Sequence, residues 1–212
     1  MSALNQNKLP PVRGGGTIYP PPKIEENDDE LRKRLKGVVL KDREDFTMLY
    51  YGLVSRVSSY VGIHIQSPED VKDVIQEIFI GVWKSASGYS EKSSVIAWVL
   101  GIARRKIADY YRQKYRRDCF LGPDPLEMDQ KMMLEDEGSS REMKKVIDKV
   151  YWEEIMKAIS QDEKELVYLC FDIGLSYQEI ASIQGIPVGT VKSRMFHVRK
   201  KLQKLIREVE RG

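Results

Sequence analysis

A helix stop and a helix start lie only a few residues apart near the end of the chain, and this pattern constrains the fold most strongly. The motif Ser176-Tyr177-Gln178-Glu179 has the form of a capping box, in which serine and glutamate side chains bind free backbone N–H groups at a helix start. The helix that it opens is predicted to end at Gly185, and residues 187–190 open another helix almost at once. A preceding helix over about residues 162–173 is predicted to stop at Gly174. This layout is typical of a helix-turn-helix, whose second helix enters the major groove of DNA.

The last predicted helix separates its apolar residues from its polar ones. Apolar residues at steps of four and three predict a buried stripe: Val191, Met195, Val198, Leu202 and Leu205. The other faces carry basic and polar residues with one aromatic residue: Lys192, Ser193, Arg194, Phe196, His197, Arg199, Lys200, Lys201 and Lys204. Lysine and arginine suit phosphates, whereas Lys192, Ser193 and His197 near the helix start suit base edges. For Phe196, contact with a thymine methyl group is one interpretation, and packing on a neighbour in a solvated basic helix is the other.

Helical periodicity also accounts for the earlier part of the chain, where no long stretch alternates as a strand would. An apolar stripe recurs at three- and four-residue steps between Phe46 and Val61. Ser67 and Pro68 are predicted to cap and begin a second helix, and a third follows a break around Ser87-Gly88. The sequence therefore predicts an all-α fold of two small helical domains joined by a flexible linker, the C-terminal domain being a helix-turn-helix.

Helix-breaking residues divide the chain into four segments. Residues 1–30 contain proline and glycine clusters with few apolar residues, so they are predicted to form a disordered tail, with a partner-binding or inhibitory arm as the alternative. Residues 31–117 are predicted to form the first domain and residues 148–212 the second. Residues 118–147 between them are acidic and turn-prone and are predicted to be the linker.

A dense basic cluster interleaved with aromatic residues occupies the third predicted helix. The cluster follows Trp98 and consists of Arg104, Arg105, Lys106, Tyr110, Tyr111, Arg112, Lys114, Tyr115, Arg116 and Arg117. Aromatic rings inside a positive field offer stacking surfaces for bases, a combination that suits unpaired nucleic-acid strands. The alternative is a solvated helix whose tyrosines cover the core.

Composition excludes several classes of function. The cysteines Cys119 and Cys170 and the two histidines have no metal-ligand spacing, so no metal and no cofactor are expected. No apolar run approaches the ~18 residues of a membrane span, and the N-terminus lacks the apolar core of a signal peptide, so a cytoplasmic protein is expected. The chain is not expected to be an enzyme, because it shows no glycine-rich phosphate loop after a strand, no Cys–His pairing and no clustered catalytic carboxylates.

Three motifs together resemble those of one family, the extracytoplasmic-function (ECF) subfamily of the sigma-70-type sigma factors of bacterial RNA polymerase. Residues 70–83, DVKDVIQEIFIGVW, resemble the polymerase-binding helix of these proteins. Residues 98–109 resemble their promoter-melting helix, and residues 177–202 are similar to their C-terminal recognition unit. The resemblance covers roughly residues 40–117 and 148–208, in the family's order.

The resemblance implies a transcription-initiation factor that guides core RNA polymerase to promoter DNA and carries no chemistry of its own. The residues implied to dock on the coiled coil of the largest polymerase subunit are Asp73, Gln76, Glu77 and Ile80. The loop over residues 87–94 would capture a flipped-out base of the −10 element. Contacts to the melted −10 strand are implied for Ser87, Tyr89, Trp98, Arg104, Arg105, Asp109 and Arg112. Contacts to the duplex −35 element are implied for Thr190, Lys192, Ser193, Arg194, Phe196, His197 and Lys200.

The resemblance further implies control by an anti-sigma protein that clamps both domains. Arg105 departs from the asparagine that is usual in the family at this position. The acidic linker is interpreted either as a mimic of RNA near the polymerase active centre or as a solvated tether. A conventional DNA-binding regulator with a helical sensor domain is the rival hypothesis, and it predicts a ligand pocket and operator binding without polymerase.

Overall fold

Seven α-helices make up the described part of the chain, and the sequence explains where most of them begin and end. The structure is a computed structural model that describes residues 27–120 and 156–209. The helices are α1 (Asp28–Val39), α2 (Arg43–His64), α3 (Pro68–Ser85), α4 (Val95–Phe120), α5 (Gln161–Val167), α6 (Tyr177–Gln184) and α7 (Val188–Val209). No strand occurs in these two ranges, and the predicted all-α fold is confirmed.

Polar side chains cap the first three helices. Asn27, Asp42 and Ser67 precede α1, α2 and α3, and each accepts a hydrogen bond from a backbone N–H of the first turn. These bonds satisfy donors that have no partner within the helix. Pro68 occupies the first position of α3, where its missing N–H leaves no bond unmade. The predicted cap at Ser67 and the predicted start at Pro68 are therefore confirmed.

Capping boxes open two helices of the C-terminal half. In α6, Ser176 accepts a hydrogen bond from the backbone of Glu179, whose carboxylate accepts one from the Ser176 backbone in return. Ser160 and Glu163 form the same reciprocal pair at the start of α5. The box at Ser176 is the one that the sequence predicts, and it is confirmed.

Glycines in the left-handed conformation end the helices of the C-terminal half. A π-helical turn, Tyr168–Asp172, continues α5, and the chain then turns at Gly174 with φ 76°. Gly185 caps α6 with φ 65°, a conformation that costs a residue with a side chain about 1 kcal/mol or more. Because α7 begins at Val188, only a short turn separates α6 from α7, as the helix-turn-helix pattern predicts.

Three boundaries differ from the prediction. A turn in which Lys41 adopts φ 64° separates α1 from α2. The sequence pattern did not predict two separate helices here. Helix α1 begins at Asp28, so its first three residues are helical rather than part of the tail. Helix α4 continues to Phe120, three residues into the predicted linker. The rest of the predicted tail and linker, residues 1–26 and 121–147, lies outside the described residues.

The two helical domains share one hydrophobic core. Buried side chains of α1–α4 and of α5–α7 belong to a single continuous cluster. Helix α5 lies against α2, and α6 lies against α4. Across this contact the hydroxyl of Tyr168 donates to the carbonyl of Arg56 at 2.7 Å. The sequence predicts two domains on a linker and does not predict this contact between them.

Two helical glycines provide a matched test of the packing of α1 on α2. A methyl group at Gly37 would overlap the Asp45 carboxylate and lie 2.8 Å from Asp45 Cβ, whereas one at Gly62 would meet nothing within 4 Å. Asp45 also holds Arg34 at 3.0 Å, so it cannot move without breaking that ion pair. We expect Gly37→Ala to lower the free energy of unfolding by about 1–3 kcal/mol. Gly62→Ala should raise it by up to about 1 kcal/mol through helix propensity.

Urea unfolding followed by circular dichroism at 222 nm measures both variants. A Gly37→Ala protein as stable as Gly62→Ala would show that α1 does not pack on α2 as described.

Candidate nucleic-acid interface

The outward face of α7 carries most of the side chains predicted to read duplex DNA. The predicted inward stripe is buried at Val191, Met195, Val198 and Leu202 and half-buried at Leu205. The exposed side chains are Lys192, Ser193, Arg194, Phe196, His197 and Lys200, and Thr190 is half-buried. Phe196 is 65% exposed, with its ring centroid 5.6 Å from that of His197. Packing on the core therefore does not account for the position of Phe196.

Lys201 and Arg199 of α7 contact other elements of the C-terminal domain. The ammonium group of Lys201 donates to Glu163 at 2.7 Å, and the guanidinium of Arg199 lies 5.6 Å from the centre of the Phe171 ring. Burial alone would raise the pKa of Glu163, but hydrogen bonds from Lys201 and Ser160 outweigh it and the pKa is lowered. These contacts fix α7 against α5 and the π-helical turn that continues it.

The loop before α4 holds an aromatic pair. The rings of Tyr89 and Trp98 lie 5.5 Å apart, and both side chains are half-buried. The Tyr89 hydroxyl donates to the carbonyl of Ser93 at 2.6 Å, which closes the loop on itself. Burial raises the pKa of Tyr89. Ser87 is exposed at the start of the same loop.

Helix α1 fixes this loop through two residues that the sequence analysis missed. Asp28 accepts a hydrogen bond from the backbone N–H of Val95 at 2.7 Å, which places a carboxylate at the start of α4. Arg32 pairs with Asp28 at 2.7 Å, donates to the carbonyl of Ser93 at 3.1 Å, and lies 5.7 Å from the Tyr89 ring centre. Asp28 had been assigned to the tail. The apolar spacing of Leu31, Leu35 and Val38 behind it was the available signal of a helix.

The basic residues of α4 do not share one environment. Three are in ion pairs, namely Arg104 with Glu165 at 2.9 Å, Lys106 with Glu77 at 2.9 Å, and Arg112 with Asp109. Arg105 is exposed. The predicted strand-binding set is therefore divided between α4 and the loop before it, and within α4 Arg104 pairs with a carboxylate of the other domain.

A buried carboxylate organises that contact. Glu165 on α5 is 2% exposed, and its Oε1 accepts hydrogen bonds from the Tyr60 hydroxyl at 2.6 Å and from Arg104 at 2.9 Å. Burial and the neighbouring Glu165 charge raise the pKa of Tyr60, so its hydroxyl stays protonated. Burial alone would lower the pKa of Arg104, but the Glu165 charge and the bonds to Glu165 and Tyr60 raise it. No sequence motif identified Glu165, because its partners lie in the other domain.

A second carboxylate joins the two domains at the start of α4. Glu179 uses Oε2 for the capping box of α6, while its Oε1 accepts from the backbone N–H and the hydroxyl of Ser94 at 2.9 and 2.6 Å. Burial alone would raise the pKa of Glu179, but the bonds from Ser94 and Ser176 lower it. The sequence analysis identified Glu179 as a capping residue only.

A polar surface on α3 carries the residues predicted to contact polymerase. Asp73, Gln76 and Glu77 are exposed, and Ile80 is half-buried. A groove of about 450 Å³ runs between α3 and α4 beside them and is lined by Asp70, Asp73, Val74, Glu77, Lys106, Asp109, Tyr110 and Gln113. This groove therefore presents several carboxylates, which suits a basic partner surface.

Comparison with known proteins identifies the family. The sequence profile of sigma-70 region 2 matches residues 48–117, and that of sigma-70 region 4 matches residues 149–202. The chain is 30% identical over 177 residues to the ECF RNA polymerase sigma-E factor of Escherichia coli K12, covering 78% of this chain and 91% of that protein. The chain belongs to the ECF sigma factors. This sigma factor is also 26% identical over 178 residues to SigK of Mycobacterium ulcerans, over 79% of this chain and 88% of SigK.

Two solved structures share the fold of this sigma factor. CnrH in complex with the cytosolic domain of CnrY superimposes with a TM-score of 0.57 at 18% identity, covering 85% of this chain and 99% of that one. The sigma factor RpoE of Bartonella quintana, in complex with the anti-sigma factor NepR, gives a TM-score of 0.58 at 20% identity over 77% and 98% of the two chains.

The described residues of this sigma factor contain neither a candidate metal cluster nor a candidate membrane span. There, no group of three or more histidine, cysteine, aspartate or glutamate side chains is arranged to hold a metal ion. Of the helices in residues 27–120 and 156–209, none has both the length and the apolar character needed to cross a membrane.

His64 makes the stability of this sigma factor depend on pH. Its ring lies at the domain contact, 5.1 Å from the Tyr60 ring and with Nε2 3.8 Å from Glu165. Burial lowers the pKa of His64; Glu165 and Asp162 oppose this, and the nearby Arg104 reinforces it. Because the folded-state pKa lies below the unfolded value of 6.5, the unfolded chain binds more protons as the pH falls through 6.5. The free energy of unfolding should therefore decrease in that window.

Thermal unfolding at pH 7.5 and 5.5 tests this expectation. The wild-type melting temperature should be lower at pH 5.5, and His64→Gln should show a smaller difference between the two pH values. His197→Gln, which changes the exposed histidine on α7, should retain the wild-type difference. Equal pH dependence in all three proteins would contradict the assignment to His64.

Proposed function

We propose that this sigma factor uses three surfaces of its two domains, two of which recognise promoter DNA and one of which binds core RNA polymerase. The observation that carries the proposal is the outward face of α7, where six polar, basic or aromatic side chains are exposed above a buried apolar stripe. The match to sigma-70 regions 2 and 4 supports the same division of the chain.

The first surface is the start of α7, which enters the major groove at the −35 element. In this proposal the exposed residues Ser193 and Lys192 contact base edges from the first turns, and the exposed Arg194 and Lys200 contact phosphates. Phe196 offers an apolar surface for a thymine methyl group. Helix α6 packs against α7 and crosses the sugar-phosphate backbone of the DNA, as in other helix-turn-helix proteins.

The second surface binds the melted −10 strand. It consists of the loop over residues 87–94 with Tyr89, together with Trp98, Arg104, Arg105, Asp109 and Arg112 on α4. A base that leaves the stack loses stacking and pairing energy of a few kcal/mol, and aromatic contacts in this loop offset part of that loss. The hydrogen bonds of Asp28 to Val95 and of Arg32 to Ser93 support the proposal, because they hold the loop in one conformation in the absence of DNA.

The third surface is the exposed side of α3, which binds core RNA polymerase through Asp73, Gln76, Glu77 and Ile80. Carboxylates at a protein interface need basic partners, so we infer a basic polymerase element opposite them. In the described structure Glu77 forms an ion pair with Lys106. On binding, Glu77 would exchange Lys106 for a basic residue of the polymerase.

An anti-sigma protein is the proposed controlling partner. The structural relatives CnrH and RpoE are each described in complex with another protein, and NepR is named as an anti-sigma factor. Since core polymerase works in the cytoplasm, we place this sigma factor there. We assign it no catalytic activity of its own, because recruitment and strand capture need only binding surfaces.

Transcription from a random promoter library tests the proposal as a whole. Purified core RNA polymerase should produce transcripts only when this sigma factor is added, and the active promoters should share two spaced upstream elements. If the protein supports no transcription and binds duplex DNA equally well without polymerase, the conventional-regulator hypothesis replaces this one.

A substitution on α7 tests the −35 surface on the promoters that the library selects. We expect Phe196→Ala to reduce transcription by about tenfold, since one lost base contact costs about 1–3 kcal/mol. It should also relax the preference at one position of the upstream element. Gln203→Ala on the same helix, also at an exposed residue, is the matched control and should retain wild-type transcription. Equal activity of the two variants would exclude Phe196 from base reading.

A further inference from the structure

A strained residue lies within the loop that the proposed function assigns to the captured base. Glu91 adopts φ 57°, and it is one of two residues other than glycine with positive φ in residues 27–120 and 156–209. A residue with a side chain reaches this left-handed conformation only at an energetic cost, so neighbouring groups must hold it there. The shape of the loop over residues 87–94 therefore depends on the contacts that Glu91 and its neighbours make.

Helix α1 supplies contacts that hold this turn. Arg32 donates from Nη1 to the carbonyl of Glu91 at 3.4 Å and from Nη2 to the carbonyl of Ser93 at 3.1 Å. The Glu91 carboxylate lies 3.6 Å from Arg32 Nη1 and 3.5 Å from Lys36 Nζ. Asp28 orients the guanidinium by accepting a hydrogen bond from its Nε at 2.7 Å. One planar guanidinium thus bridges two carbonyls of the loop, a geometry that a lysine ammonium does not reproduce.

The position of Tyr89 depends on one of the same carbonyls. The Tyr89 hydroxyl donates to the carbonyl of Ser93 at 2.6 Å, and the Tyr89 ring centre lies 5.7 Å from the Arg32 guanidinium. On its other side the ring lies 5.5 Å from the ring of Trp98. A shift of the Ser93 carbonyl would therefore move the Tyr89 hydroxyl and turn the ring relative to Trp98. Arg32 thus acts on the aromatic pair of the loop through the backbone.

Arg32 differs in its surroundings from the cation next to it. Its side chain is 25% exposed, and its contacts reach from α1 to the loop within the N-terminal domain. The side chain of Lys33 is 75% exposed and pairs with Glu30 of the same helix at 3.9 Å. Lys33 is therefore a matched control for the charge of Arg32. Because the loop contacts of Arg32 lie within one domain, they require no particular position of the C-terminal domain.

We propose that Arg32 is a positioning residue for the −10 loop, and that by holding Glu91 and Ser93 it fixes Tyr89 and sets which base the loop accepts. This inference rests on the proposed function, which assigns the loop over residues 87–94 to the flipped-out base. A preorganised loop presents one set of contacts, so the matching base binds without the entropy loss that ordering the loop would cost. Without Arg32 the loop populates other conformations that accept other bases, and the matching base loses most.

Transcription from promoters with a randomised −10 element measures this base preference. Core RNA polymerase is combined with the full-length sigma factor or with Arg32→Ala, Arg32→Lys or Lys33→Ala. The upstream element is fixed as the wild type selects it, and each promoter carries a barcode in its transcript, so that sequencing of the RNA gives its activity.

We expect Arg32→Ala and Arg32→Lys to reduce the preference at one −10 position by about tenfold, because the matching loop conformation becomes a minor state. The preferences at the other −10 positions should stay as in the wild type. Lys33→Ala should keep the wild-type preference at every position. A general loss of stability would instead lower transcription from all promoters alike and leave the preferences unchanged.

Glu91→Gly tests the loop without changing α1. Glycine adopts φ 57° without strain and exposed ion pairs contribute little to stability, so the melting temperature should stay close to that of the wild type. We expect the same loss of preference at the same −10 position, since glycine frees the backbone and removes the carboxylate that Arg32 and Lys36 hold. Where circular dichroism shows that Arg32→Ala does not fold, Glu91→Gly alone decides.

Two results would overturn this inference alone. In one, the wild-type holoenzyme transcribes the selected promoters and folded Arg32→Ala, or Glu91→Gly in its place, keeps the wild-type preference at every −10 position. In the other, Arg32→Lys restores the wild-type preference, so that charge rather than the bridge between two carbonyls is what matters. The proposed function stands after either result. If the wild-type protein supports no transcription with core polymerase, the proposed function fails and this inference fails with it.

Discussion

Burial of the Glu165 carboxylate is the interaction on which the relative position of the two domains depends. Removing a carboxylate from water costs several kcal/mol, and the structure offsets this with a guanidinium and a tyrosine hydroxyl. The same arrangement explains the raised pKa values of Tyr60 and Arg104 and the burial of His64 beside them. Loss of Arg104 would leave the buried charge without its cation, and loss of Tyr60 would remove one of its two hydrogen bonds.

Two carboxylates in the first turns of helices also contact a second element. Glu179 completes the capping box of α6 with one oxygen and holds Ser94 with the other. Asp28 lies at the start of α1 and also accepts the first N–H of α4. Each of these carboxylates therefore joins the first turn of its own helix to the residues at the start of α4. The loop over residues 87–94 is consequently held from both sides, by α1 and by α6.

The contacts between the two domains meet at one place. In this chain, sigma-70 regions 2 and 4 correspond to the two helical domains. Their contact lies beside the aromatic pair Tyr89–Trp98 and the cation Arg104. Helix α7 faces away from this contact, with Phe196 and its basic neighbours exposed.

Local patterns in the sequence determined the all-α fold, the cap at Ser67, the capping box at Ser176, the stop at Gly185 and the inward and outward faces of α7. These features depend on hydrogen bonds and apolar spacing within about four residues, so a single sequence contains them. The motifs also determined the family. The resemblance implied a strand-binding role for Arg104 but gave no sign of its pairing with Glu165, and Asp28 was misassigned to the tail.

Only the tertiary structure decided which carboxylates meet which donors. Arg104 and Tyr60 reach Glu165 over 61 and 105 residues, Ser94 reaches Glu179 over 85, and Val95 reaches Asp28 over 67. Such pairs have no local signature, because they depend on how α2, α4, α5 and α6 pack rather than on the spacing within any one helix. The apolar stripes of the helices brought these groups together, and the burial that followed required each carboxylate to find a partner.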